Sequence, residues 1–356
     1  PIDTLTTNTF ASGLNRSEEV SLLHKANNGI LVFKDFTTIA SMNEEGLREI
    51  MGQLRAIYDG SFDKKTGNAT DVSWAGKIGV IGGGTIAVQR KMRQYSEQGE
   101  RFINYIITAA DSKEMTRRAV KNQKNLKEKE DHLADIVAEF LNEKIDKGKQ
   151  SDLTIPEDIQ AEMIDVADFC TLARSPVQID IKTGNVVFVP DREMPPRVAM
   201  MLTNIAVALM EICDEKELSK QNALILYKTA MDSIPVERRM VLRILAKYRH
   251  ATTKSLAVKL HYPTEPVKVW LNQLNALKII NRNGKDGNSD LWQVNPEYKA
   301  TILKYENLFA EDIPLEVTED EIIKSGVDEN SNPGYFDDTD ERLLEKVSTT
   351  WTSEEF

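Results

Sequence analysis

Ile30-Leu31-Val32-Phe33-Lys34-Asp35-Phe36 and Ile78-Gly79-Val80-Ile81-Gly82-Gly83-Gly84-Thr85 are the stretches whose reading decides the fold. Each is a short apolar run that ends in polar residues: Lys34-Asp35 in the first, Thr85 in the second. Continuous apolar runs of this length suit strands buried on both faces, the habit of parallel sheets in α/β proteins. Ligands in such sheets bind beyond the carboxyl ends of the strands, which is where Lys34, Asp35 and Thr85 would stand. The expected class is therefore α/β.

Between the two runs, Leu47, Ile50, Met51, Leu54 and Ile57 recur at helical spacing and predict a helix over Asn43–Tyr58. Asp59–Trp74 is polar and Gly-containing, and reads as a hairpin or loop. Gly82-Gly83-Gly84 lacks a following lysine and the G-x-G-x-x-G spacing, so it predicts a turn or close-packing element and not a phosphate loop. After a mostly polar stretch comes Gly99-Glu100-Arg101-Phe102. No G-x-x-x-x-G-K-[ST] loop occurs in the chain.

This order of strand, strand and Gly-Glu-Arg-Phe resembles the second half of a AAA+ ATPase core: a Walker B strand, a sensor-1 strand, then an arginine finger. The resemblance is to the minichromosome-maintenance-like helicases and initiators of phages and mobile elements. It implies ATP and Mg²⁺ as cofactors. Asp35 would take the water-orienting place and stand as the metal ligand, Lys34 replaces the second Walker B carboxylate, and Thr85 would sense the γ-phosphate. Thr37 and Thr38 are weaker candidates for that sensor. Arg101 would reach a neighbouring subunit's nucleotide, a role worth about three or more orders of magnitude in rate. The hairpin over Asp59–Trp74 would line a central pore. Against this stand two plain readings: Lys34-Asp35 merely ends a buried strand, and Arg101 is a salt-bridged surface residue.

Asp111–Gln150 is charged and helix-prone, and reads as one long exposed helix or two. Pro156–Arg174 reads as a further helix that ends before Ser175-Pro176. Val177–Val189 alternates around Thr183-Gly184-Asn185 as a hairpin, and Val198–Cys213 follows Pro195-Pro196 as another helix. The resemblance makes residues 111–235 the helical lid, with Arg174 or Arg197 as its sensor-2 residue at the ATP site. Each arginine can equally be structural.

Charge is segregated along the chain. The net charge is -11, but Glu311–Phe356 holds 15 acidic and 3 basic residues, so the tail alone carries -12. Val236–Lys304 holds 13 basic and 5 acidic residues, a net of +8. A basic module on a near-neutral body points to nucleic acid as a partner. Within that module the apolar spacing of Val241, Leu242, Ile244, Leu245, Leu256, Ala257, Leu260, Val269, Leu271, Leu274 and Leu277 supplies a three-helix core. Helices are expected over Val236–Tyr248, Thr253–Leu260 and Glu265–Leu277, then a strand pair flanking Asn283–Ser289.

Residues 236–304 resemble a winged helix-turn-helix domain, whose third helix enters the DNA major groove. The resemblance makes Lys254, Lys259, Lys268, Lys278, Arg282 and Lys285 phosphate-facing, with Trp270 and Asn272 toward the bases. Trp270 can as easily be partly buried, and winged helices also serve as protein-contact modules.

The acidic segment from residue 305 reads as a disordered tail that solvates, competes with DNA, or docks a protein partner through Tyr335-Phe336, Trp351 or Phe356. Pro1–Leu14 resembles the region after a Walker A helix. With no phosphate loop present, the expectation is that one is supplied from a preceding segment or another chain, or that this copy is degenerate. Cys170 and Cys213 are too few for a zinc site and are expected as buried thiols of a reducing cytoplasm. With 41% hydrophobic and 28% charged residues, the composition is that of an ordinary soluble protein. No run of about 18–20 uninterrupted apolar residues suggests a membrane span.

The expected layout is thus half a AAA+ core (1–110), a helical lid with a hairpin (111–235), a winged helix (236–304) and an acidic tail (305–356). The expected function is part of an ATP-driven, DNA-associated motor of the replicative helicase type, working as a homo-oligomeric ring, a hexamer by resemblance. Two alternatives stay open: a catalytically inactive DNA-binding or assembly protein, and a AAA+ remodeller of protein partners.

Overall fold

The computed structural model describes residues 2, 5, 6, 8–10, 22–65, 72–92, 101–107, 112–148, 150–180, 182–286, 289–305 and 308. Residues 309–356 of the acidic segment, Gly99-Glu100 and most of Pro1–Leu14 lie outside the described residues. The chain divides between Phe102 and Ile103 into two compact units, a boundary earlier than the one expected after residue 110. Its class is mixed α/β, with many helices and small sheets.

In the first unit α1 (Leu22–Lys25) leads into β1 (Ile30–Phe33), followed by α2 (Phe36–Ala40) and α3 (Glu44–Tyr58). A hairpin of β2 (Ser61–Lys64) and β3 (Val72–Ala75) precedes β4 (Gly79–Gly82) and α4 (Ile86–Met92). β4 returns parallel to β1, with Phe33 opposite Gly82. On the other edge of β1, Ile2 bridges to Phe33 in the parallel sense and its N–H donates to the Val32 carbonyl at 2.8 Å. β1 is therefore paired along one edge by β4 and touched on the other by a single bridge.

Helix α3 forms where the apolar spacing put it. Asn43 caps its start, its side chain accepting from the Gly46 N–H at 2.8 Å, and Glu44 and Glu45 favour the positive end of the helix dipole. Leu47, Ile50, Leu54 and Ile57 are buried in one cluster with Leu31, Phe33, Phe36 and Trp74. Each such side chain contributes about 1.5–3 kcal/mol on full burial. The sheet's other face departs from expectation. Ile30 is 62% exposed and Ile81 58% exposed, so the double burial read from the apolar runs holds for one face only.

The second unit opens with two exposed helices, α5 (Ser112–Asn122) and α6 (Leu126–Asp146), separated by a 3-10 turn at Gln123–Asn125. The charged segment is thus two helices, the break falling where Asn125 leaves helical geometry (φ -131°). Next come α7 (Glu157–Arg174), the hairpin β5 (Gln178–Ile179) and β6 (Val186–Phe188), α8 (Pro195–Cys213) and α9 (Lys220–Asp232). Helices α7, α8 and α9 pack pairwise.

α8 is long and apolar enough to cross a membrane, with a mean hydropathy of 1.4. It is not an unbroken apolar run, because Arg197, Thr203, Asn204 and Glu211 interrupt the helix. Its Val198, Met201, Leu202, Ala206 and Met210 form a buried stripe on the side that packs against α7 and α9, while Met200 and Ile212 are exposed.

The basic segment comprises α10 (Val236–Leu245), β7 (Ala251–Thr252), α11 (Thr253–Leu260), α12 (Thr264–Ala276), β8 (Ile280–Asp286), β9 (Ser289–Val294) and α13 (Pro296–Lys304). Its three strands form an antiparallel sheet in the order β7-β9-β8. Thr252 and Ser255 close a reciprocal cap at the start of α11. Trp292 is wholly buried beneath the helices and donates its indole N–H to Thr253 Oγ1 at 2.8 Å.

This segment is bound tightly to the helices before it. Arg238, 1% exposed, donates to the carbonyls of Ala173 at 2.8 Å and Ser175 at 2.7 Å. Asp232, fully buried, accepts from Arg239 at 2.9 Å, from Lys228 at 2.7 Å and from the Ile106 N–H at 2.8 Å.

Candidate nucleotide and nucleic-acid sites

Asp35 stands two residues beyond the end of β1, after Lys34, and Thr85 three residues beyond the end of β4. Adjacent parallel strands in matched register bring both to one sheet edge. The edge is stitched by the Phe36 N–H donating to the Gly83 carbonyl at 2.7 Å, and the Gly83 N–H to the Phe33 carbonyl at 3.1 Å. Lys34, Asp35 and Thr85 are all exposed.

Asp35 has a structural task as well. It is the N-cap of α2, and its Oδ1 accepts from the Thr37 N–H at 2.8 Å. Hydrogen bonds from the Thr37 hydroxyl first, and from its N–H second, hold the carboxyl below the usual range, so it stands as a carboxylate near neutral pH. An ionised acceptor at a strand end can orient water. The hydroxyl of Thr37, one of the weaker sensor candidates, is likewise bonded to Asp35.

The glycine run behaves as the close-packing element expected. A Cβ on Gly82 would lie 2.7 Å from the Phe36 ring, and one on Gly84 2.8 Å from Val88. Among the described residues, no three His, Cys, Asp or Glu side chains gather to hold a metal ion. The edge thus offers one carboxylate and one hydroxyl, which fits half of a nucleotide–Mg²⁺ site.

Arg101 is held within its own unit. Its Nε and Nη2 donate to Asp59 Oδ1 and Oδ2, each at 3.2 Å, and its guanidinium lies 5.7 Å from the centre of the Tyr58 ring. The side chain is 14% exposed. The salt-bridged state weighed against the finger in the sequence is the state seen.

In the second unit Glu193 joins the two sensor-2 candidates. Its Oε2 accepts from Arg174 Nε at 3.0 Å and Nη2 at 2.5 Å, and its Oε1 from Arg197 Nη1 at 3.1 Å. Arg174 is 5% exposed in its side chain and Arg197 34%. Arg174 is a buried structural residue here, and Arg197 is the one of the pair that meets solvent. Glu193 was missed in the sequence because it sits in a loop with no periodicity to mark it.

The candidate nucleic-acid residues are distributed over three elements. Lys254 and Lys259 lie on α11, and Lys268, Trp270 and Asn272 on α12. Lys278, at φ 60°, follows the end of α12, and Arg282 and Lys285 are on β8. The lysines and Arg282 are exposed, while Trp270 and Asn272 are half-buried.

Several are already engaged. Lys259 Nζ meets Tyr248 Oη at 2.5 Å, Arg282 pairs with Asp290, and Trp270 packs edge-on to Tyr262 with centroids 5.0 Å apart. Part of the segment's +8 charge is also internal, since Arg238 and Arg239 are buried.

Cys170 is buried and donates to the Ala230 carbonyl at 3.1 Å, and burial pushes its thiol up to about 11. Cys213 is exposed at the end of α8, contrary to expectation. The helical pattern placed it on an apolar helix without showing that the last turn leaves the core.

Compared with known proteins, the chain matches no family model and no curated protein.

Proposed function

We propose that the first unit is the second half of a AAA+-type ATPase core and that residues 236–304 are a winged helix, together forming part of a DNA-associated motor. One observation carries the first half of this reading. Asp35 and Thr85 end two adjacent parallel strands at a common edge, with a hairpin inserted between the strands. The order helix, strand, helix, helix and strand pair, with the sheet ordered β7-β9-β8, supports the second half.

In this reading ATP with Mg²⁺ supplies the phosphoryl group that water attacks, and its phosphates are gripped by a loop this chain does not contain. Asp35 orients the water, and Thr85 offers a hydroxyl to developing negative charge. Arg101 exchanges Asp59 for a neighbouring subunit's nucleotide, so the ion pair is its resting position. Arg197, still partly exposed beside Glu193, is the better lid contact.

A second reading has an observation of its own. Lys34 replaces a carboxylate and Arg101 is paired within its own unit. Both suit a DNA-binding or assembly protein that keeps the shape of an ATPase without turnover.

The deciding experiment is ATP hydrolysis by the full-length gene product, with and without duplex DNA, beside Arg101→Ala. DNA-stimulated turnover that collapses in the variant, and returns when the variant is mixed with Asp35→Ala protein, supports shared sites in a motor. Absence of turnover in every form leaves the scaffold reading.

A further inference from the structure

The hairpin β5–β6 touches the helix that a winged-helix reading assigns to base recognition. Val267, Leu271 and Leu274 form the buried side of α12. Val269 lies two residues on from Val267, about 200° around the helix, and so on its outward side. It is nevertheless half-buried.

The cover is the hairpin tip. Asp180 builds that tip: its Oδ1 accepts from the N–H groups of Lys182 and Thr183, each at 2.8 Å, and its carbonyl accepts from the Gly184 N–H at 2.8 Å. Gly184 sits at φ +67°, and a Cβ placed there would lie 2.9 Å from Val269 Cγ2. The tip turn and Val269 are therefore in contact, and β6 packs on the same helix.

The root of the hairpin is tied to α12 as well. Arg238 holds the Ser175 carbonyl at 2.7 Å, just before β5, and its Nε donates to Gln273 Oε1 of α12 at 3.3 Å. Tip and root thus grip α12 at two points, Val269 and Gln273, one turn apart along the helix.

Resting on the winged-helix reading above, we infer that this hairpin sets the specificity of the module: it holds the outward face of α12 out of the major groove. Duplex DNA is then bound through phosphates alone, without base-sequence preference. Bases are read by side chains entering a groove, whereas phosphates are met by charges on any exposed rim. Lys254 on α11 and Lys285 on β8 lie on elements other than α12 and are exposed. Those positions keep their access while the tip is in place.

The test measures binding of the full chain to a fluorescent 20-base-pair duplex and selection from a random duplex pool. Three proteins are compared: the unaltered chain, Gly184→Ala, and a chain in which an Asn-Gly turn replaces residues 180–185. Gly184→Ala strains a positive-φ position and pushes the tip off Val269, so it loosens the contact even if the shortened hairpin fails to fold. The expected result is that the unaltered chain enriches no motif, while the loosened chains bind at least several-fold tighter and do enrich one. Measurable but equal affinity in all three overturns the cover and leaves DNA binding intact. A motif enriched by the unaltered chain also overturns it. If no form binds duplex, the DNA reading itself fails and takes the cover with it.

Discussion

Arg101 grips Asp59 through two parallel hydrogen bonds, Nε to Oδ1 and Nη2 to Oδ2, both 3.2 Å long. Two-point pairing of a guanidinium with a carboxylate fixes orientation as well as distance. Asp59 is the cap residue at the end of α3, half exposed, so this pair joins a helix end to the segment that closes the first unit.

The first prediction follows from that pair. Because Asp59 is 52% exposed, screening keeps the pair's worth to about 0–1 kcal/mol. Asp59→Ala should therefore leave the melting temperature nearly unchanged. On the motor reading it also removes the Asp59 hold on Arg101, so turnover of the full-length product should hold or rise, whereas Arg101→Ala should lose roughly three orders of magnitude. Equal losses in both variants would make Arg101 a structural residue.

A second prediction concerns the buried cluster at Asp232. Its carboxylate faces Arg239, Lys228 and the Ile106 N–H with no solvent exposure, and burial pushes its pKa upward against those partners. Asp232→Ala removes a buried carboxylate that faces both Arg239 and Lys228. Breaking a buried pair by removing one partner costs about 3–5 kcal/mol. Urea unfolding should show that loss in the second unit, while the double variant Asp232→Ala with Arg239→Met should recover much of it.

The thiols give a third prediction, with a sign that can be checked. Cys213 is exposed and should react with an aromatic disulfide reagent near pH 8, whereas Cys170 should react only on unfolding. Titration of native protein should give one thiol per chain, and denatured protein two. Cys170 has its thiol raised from 9.0 to about 11 in the folded state. The stability it lends is therefore complete below pH 9 and lost as pH climbs toward 11. Cys170→Ala should flatten the alkaline limb of a stability curve across that window. An unchanged limb would show that the thiol does not titrate with unfolding.

The two units were unequally legible in the sequence. The strands ending at Phe33 and Gly82 could be read from unbroken apolar runs that stop at polar residues, and the helix over Asn43–Tyr58 and the three helices after Val236 from apolar residues at helical spacing. Helix α9 and helix α13 passed unnoticed, since neither has the contrast between apolar and polar faces that marks α3. The site residues were harder still. Residue type put Asp35 and Thr85 at strand ends, but no pattern in the chain says that Arg101 will find Asp59 or that Arg174 will be sealed against Glu193. Ion pairs between elements distant in sequence depend on tertiary packing, and a single sequence carries no record of it. The contact of Gly184 with Val269 is of the same kind: the hairpin and the helix were both predicted, and their meeting was not.

The last prediction separates DNA contact from protein contact in the basic segment. Each lysine that neutralises a phosphate releases about one counterion, so the slope of log affinity against log salt counts such contacts. Lys254 and Lys285 are exposed on α11 and β8, whereas Arg282, though exposed, is paired with Asp290 across the strand pair. Lys254→Ala and Lys285→Ala should each weaken duplex binding uniformly across sequences and shallow the slope by about one. Arg282→Ala should change the slope less, because its charge is already answered by Asp290. Fluorescence anisotropy over a range of potassium chloride concentrations reads all three. A salt slope near zero in the unaltered chain would assign the segment to protein contact instead. A slope that falls equally in all three variants would show that the Arg282–Asp290 pair opens to admit a phosphate.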